Sequence, residues 1–160
     1  MTKSEEQLKQ TIGNLDFSMI ISKMVSHQGW SRKDAEEVSQ LYRNFLFLSA
    51  KYSDKRLPPS GDIDEFWHNH ILDTEKYAQD CDAIFGRFFH HYPYFGIDEK
   101  TNQTDLGDAF SDVQRFHHLE FGDYIYEIRG WRKKLASSLK LLLKIAGRSL
   151  GLTDKQRRIR

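Results

Sequence analysis

The chain has 160 residues, 39% of them hydrophobic and 29% charged, with a net charge of +1. That length closes one hydrophobic core, and the composition is that of an ordinary globular protein. One cysteine excludes an internal disulfide, and the longest apolar runs, such as Phe45 to Leu48, are far too short to span a membrane. The polar start MTKSEEQLKQ lacks the apolar stretch of a signal peptide, so the expected compartment is the cytoplasm. The small net charge hides an asymmetry. Residues 129–160 carry eleven bases against one acid, or +10, and residues 1–128 carry 13 bases against 22 acids, or −9. A basic tail on an acidic body calls for an anionic partner.

Three segments are expected: a polar lead-in over 1–13, a helical domain over 14–128, and a basic amphipathic helix with its tail over 129–160. Phe17, Ile20, Ile21 and Met24 recur at three and four and predict a helix from Asn14 to about His27. Asn14 or Asp16 is its expected N-cap and Gly29 its stop. Ser31 opens the next helix, its hydroxyl placed to accept from the N–H of Asp34. Ala35, Val38, Tyr42, Phe45, Leu46 and Leu48 carry that helix to about Ser53 on a broad apolar face.

Pro58-Pro59-Ser60-Gly61 then breaks the chain. A short helix is expected from Asp62, with Glu65 as its capping-box partner. After a second break at Asp73-Thr74, helix resumes through Tyr77, Cys81, Ile84 and Phe85. Gly86 to Gly96 reads as a buried, irregular turn and Asp98 to Asp105 as a solvated loop. Leu106, Phe110, Val113, His117, Phe121 and Tyr124 are spaced for a further helix. Trp131 to Leu150 predicts a cationic amphipathic helix, with Leu135, Leu139 and Leu142 opposite Lys133, Lys140 and Lys144. No period-two strand pattern, repeat or low-complexity segment stands out. The expected fold is all-α, one compact domain of about five to six helices followed by the basic amphipathic helix.

Chemistry concentrates between Asp62 and Gly96, which hold four of the seven histidines and the one cysteine. Imidazole, thiolate and carboxylate are the ligand types of zinc and iron. Asp64, His68, His70, Cys81, His90 and His91 are therefore the candidate ligands, with Trp67, Tyr77 and Tyr94 as aromatics for a bound group. Helical spacing divides them. Asp64 and His68 stand four apart and share a face; His68 and His70 stand two apart and nearly oppose, so both reach one ion only if the helix ends between them. His90 and His91 likewise point two ways unless the backbone is irregular. Against the metal stands a core in which these imidazoles hydrogen-bond to backbone and to Asp64 or Asp73. A Cys81 thiolate paired with His68, His90 or His91 is a further alternative. His117 and His118 are expected to split between core and solvent, and His27 to face the C-terminal end of its helix dipole.

IDEFWHNHILDTEKYAQDC followed by IFGRFFHHYPYFG resembles the glycine-rich domain-containing protein-like (GRDP-like) family, and the resemblance runs from about Asp16 to Tyr124. Plant members of that family add an RNA-binding-like segment and a glycine-rich tail. With ten glycines and no such tail, this chain resembles the N-terminal domain alone, so RNA binding does not carry over. The matched positions are Asp64, Trp67, His68, His70, Asp80, Cys81, His90, Pro93 and Gly96. The resemblance attaches no activity to them.

Three functions follow as expectations. The first is a small binding or accessory module with a His/Asp/Cys-lined pocket holding zinc, iron or a small ligand. The second is a structural or interaction domain with the motif as core. The third, an enzyme using the same residues, is the least supported, because no substrate class can be derived. The basic segment 131–160 is expected to engage an anionic membrane surface or a protein, which makes the chain peripheral to a membrane in the first case. Nucleic acid is disfavoured because no aromatics beyond Trp131 interleave the bases.

Overall fold

A computed structural model describes residues 4–129. The chain divides into two units, Met1–Tyr126 and Glu127–Arg160, the second of which falls almost wholly outside the described residues. The cationic helix expected over 131–150, and with it the partner assigned to 131–160, lies there too. The first unit is all-helical: α1 (Glu5–Gly13), α2 (Ser18–His27), α3 (Arg32–Lys51), α4 (Gly61–Leu72), α5 (Thr74–Phe85) and α6 (Gln103–Phe121). None of the helices described is long and apolar enough to cross a membrane.

α3 is the axis of the fold. Its 20 residues rise about 30 Å, and α1, α2, α4 and α6 all pack on it. Ser31 caps its start as expected, accepting from the Asp34 N–H at 3.1 Å. Val38, Tyr42, Phe45 and Leu48 are fully buried along it. Tyr42 and Phe45 meet Phe66 and Trp67 of α4, and Phe17 at the start of α2 packs on Phe66, in a continuous cluster of rings.

The lead-in expected over 1–13 is instead helix α1. Ser4 and Gln7 form a reciprocal capping box, and Leu8 and Ile12, four apart, bury themselves. Two apolar residues in a polar stretch suffice because α3 supplies the rest of the interface. Arg43 of α3 donates to the carbonyls of Ile12 and Leu15, which ties the end of α1 and the turn after it to α3. Lys51 ties the other end, bridging Glu5 at 2.8 Å and Glu120 of α6 at 2.9 Å.

α4 starts one residue before the expected Asp62, with Ser60 as its N-cap. Glu65 accepts instead from the Trp30 indole at 2.8 Å, which fastens the α2–α3 corner to α4. The expected break at Asp73 is present, Asp73 ending α4 and preceding the first residue of α5. The 86–96 segment is irregular as expected but not buried, since Phe88, Tyr92 and Tyr94 are exposed. The expected loop over 98–105 is tighter than a solvated coil. Asp98 collects the N–H groups of Lys100 and Thr101 and the Thr101 hydroxyl, and these bonds, the hydroxyl first, hold its carboxyl down at about 2. Asn102 and Asp105 then form a capping box that begins α6 three residues before the expected Leu106. Gly96 has no substitute. Its φ is +89°, and a Cβ there would stand 2.9 Å from Leu106 Cβ.

Candidate metal centre

The site is assembled by two elements of unlike regularity. Along α4, Asp64 and His68 share one face, four residues apart, as the helical period requires. The third member, His91, comes from the irregular segment after α5. That segment is pinned two residues earlier: the Phe89 ring stacks on Trp67 at 5.0 Å and on Phe85 at 4.6 Å, and Tyr77 Oη donates to the Phe89 carbonyl. Trp67 Nε1 in turn donates to Tyr77 Oη at 2.9 Å. Inward and outward residues alternate here. Phe89 and His91 turn in, whereas Phe88 and His90 are exposed with their rings 4.9 Å apart.

One ligand atom from each of Asp64, His68 and His91 lies within 4.8 Å of the others. His91 Nε2 is 2.7 Å from Asp64 Oδ1, and His68 Nδ1 is 3.3 Å from Asp64 Oδ2. His68 Nδ1 also lies 2.8 Å from the Asp64 carbonyl. The two imidazole centroids are 4.7 Å apart, so Asp64 bridges a histidine pair. The trio sits at the edge of a cleft of about 740 Å³. α4 forms the floor through Gly61, Asp64 and His68. One wall is the α3–α4 linker from Ser53 to Pro59, and the other is the segment from Arg87 to Phe95.

The remaining candidates do not join the trio. α4 continues to Leu72, so His68 and His70 diverge, and His70 enters the core at 1% exposure. Both of its nitrogens are engaged there, Nδ1 with Tyr42 Oη at 3.0 Å and Nε2 with Asp80 Oδ2 at 3.0 Å. The carboxylate accepts, so Nε2 carries the proton and Nδ1 accepts from the tyrosine hydroxyl. Lys76 completes the network at 2.9 Å from the same carboxylate oxygen. Burial is the main reason the His70 imidazole is held neutral, its pKa down at about 4.

Cys81 is 2% exposed, and burial pushes its thiol up. It packs as a small buried hydrophobe and does not join the trio. His90 lines the cleft without reaching the trio. Of the aromatics assigned to a bound group, Trp67 lines the cleft, Tyr77 is buried at 1% and serves the staple above, and Tyr94 is exposed and outside the lining. His117 and His118 split as expected: His117 is fully buried between Asn44 and the Asp123 carbonyl, and His118 stacks on Tyr124.

Sequence reasoning missed the cations of the cleft. Lys55, Arg56 and Arg87 line it against one carboxylate, Asp64. Only the position of Arg87 just past Gly86, beside the aromatic run, hinted that it belongs to the same place.

No curated protein and no solved structure matches the chain. A protein family does match, over residues 7–117, which covers most of the chain and all three members of the trio. That family is not the glycine-rich domain-containing one, and the expected GRDP-like membership is corrected accordingly. The residues on which the expectation rested lie within the matched range, and the chain belongs to the UCP032817-like family.

Proposed function

We propose that the chain is a divalent-metal-binding module, with Asp64, His68 and His91 as its protein ligands. The observation that carries this reading is the closeness of three ligand atoms of suitable chemistry, within 4.8 Å of one another, at an open cleft. Two imidazoles and a carboxylate suit Zn²⁺ or Fe²⁺, and three protein ligands leave coordination positions open to the cleft. That is the arrangement of a site that handles a ligand rather than one that only staples a fold. His68 has half its side chain exposed and can swing to bring its ring nitrogen to the ion. The hydrogen that now bridges His91 Nε2 and Asp64 Oδ1 occupies the lone pair an ion needs, so the ion takes that nitrogen in place of the carboxylate contact, with the ring hydrogen on Nδ1.

The test is elemental analysis of untagged protein, followed by calorimetric titration with Zn²⁺. About one equivalent is expected, with loss of binding in Asp64→Asn and His91→Ala. Less than about a tenth of an equivalent, with a silent titration, refutes the reading.

A further inference from the structure

We infer that the cleft beside the trio takes an organic phosphate, its phosphoryl oxygens held jointly by the metal and by Arg56 and Arg87. This rests on the metal reading above. The charge of the lining is the first argument. Three cations face one carboxylate, and a divalent ion on the trio would make the cleft strongly cationic. Among the described residues neither arginine is ion-paired, whereas Lys55 has Asp54 at 3.8 Å. Phosphate or carboxylate is what the planar guanidinium fork of each matches.

Position is the second argument. The Arg56 guanidinium is held over two rings of the opposite wall, 5.3 Å from the Tyr92 centroid and 5.8 Å from that of Phe95. It therefore reaches across to the opposite wall, held by the two rings. Arg87 enters from the strip that carries His91, four residues away, so an arginine and a metal ligand share one short segment. The geometry favours a dianion over a carboxylate, because two guanidiniums and an ion offer more positive charge than one carboxylate neutralises.

Size is the third. A cleft of about 740 Å³ lies within the range of roughly 300–1,000 Å³ typical of small-molecule sites and far exceeds a bare phosphate. Leu57, Pro58, Phe89 and Phe95 supply apolar lining for the rest of the ligand. An aromatic or otherwise apolar body with one phosphoryl end fits these surfaces.

Calorimetry on the 160-residue chain separates the two readings. Zn²⁺ is titrated first, and phenyl phosphate is then titrated into the zinc-loaded protein, with benzoate as the carboxylate control. Phenyl phosphate is expected to bind, and benzoate to bind more weakly. Arg56→Gln with Arg87→Gln should weaken phenyl phosphate by about tenfold or more and leave the zinc isotherm unchanged. Arg56→Lys should retain part of the affinity. A normal zinc isotherm followed by no phenyl phosphate binding, or by equal binding in the double variant, overturns this inference and leaves the metal site standing. Benzoate binding as tightly overturns the assignment to phosphate. A silent zinc titration overturns both, and it is read before any phosphate is added.

Discussion

His68 and His70 leave the same helix two residues apart and enter opposite worlds. His70 is 1% exposed with both nitrogens committed, whereas the His68 side chain is 53% exposed beside a carboxylate and a second imidazole. Two residues are about 200° of helical rotation, so one face of α4 must serve the core if the other serves the cleft. The lesson is that identical side chains take their chemistry from what surrounds them. Burial holds one imidazole neutral and turns it into a strut between Tyr42 and Asp80. Exposure beside Asp64 leaves the other able to take a ligand.

The largest effect that sharpens this contrast is on the buried side. His70→Ala should lose about 3 kcal/mol or more of stability in urea denaturation, because it opens a cavity and leaves the buried Tyr42 hydroxyl without its partner. Its folded fraction should still bind Zn²⁺. A variant as stable as the parent would break the comparison.

Acid should act on the same residue. An unfolded histidine takes up a proton near 6.5, whereas the folded His70 resists until about 4. Between those values the unfolded chain binds more protons, so stability falls as pH falls through the window and is fully recovered above it. The loss is read as denaturation midpoints that fall with pH, in the presence of a chelator. It should be absent from His70→Ala. A midpoint that is flat between these pH values in the parent chain contradicts a neutral buried imidazole.

On the open side the stability effect should be the smallest. His68→Ala is expected to move stability by no more than about 0.5 kcal/mol, since the side chain supports little packing. The same change should weaken Zn²⁺ binding by about 100-fold or more, because a ligand is lost outright. If His68→Ala unfolds the chain and spares the metal, the two histidines have been assigned the wrong way round.

Much of this was legible in residue spacing. The helical class, the Ser31 cap, the breaks at Pro58-Pro59 and Asp73, and the pairing of Asp64 with His68 follow from local rules that hold wherever the chain goes. The divergence of His68 from His70 was legible as well, conditional on α4 continuing. Other elements were not. α1 shows two apolar residues in a polar stretch, and its helix is secured by Arg43 and Lys51 of α3, which lie more than 25 positions away. The motif itself misled about kinship, because its aromatic and histidine pattern resembles one family while the chain belongs to another.

Local periodicity placed Asp64 and His68 on one face, since a helix repeats by its own hydrogen bonds. Which histidine joined them was a matter of long-range packing. His90 and His91 are adjacent and chemically equal in the sequence. Only the Phe89 ring seated on Trp67, and the Tyr77 hydroxyl on the Phe89 carbonyl, set the phase that turns His91 inward and leaves His90 out. The convergence of Arg56 and Arg87 on the same cleft has the same origin: an irregular segment has no period of its own, and its side chains point where the core beneath it holds the backbone.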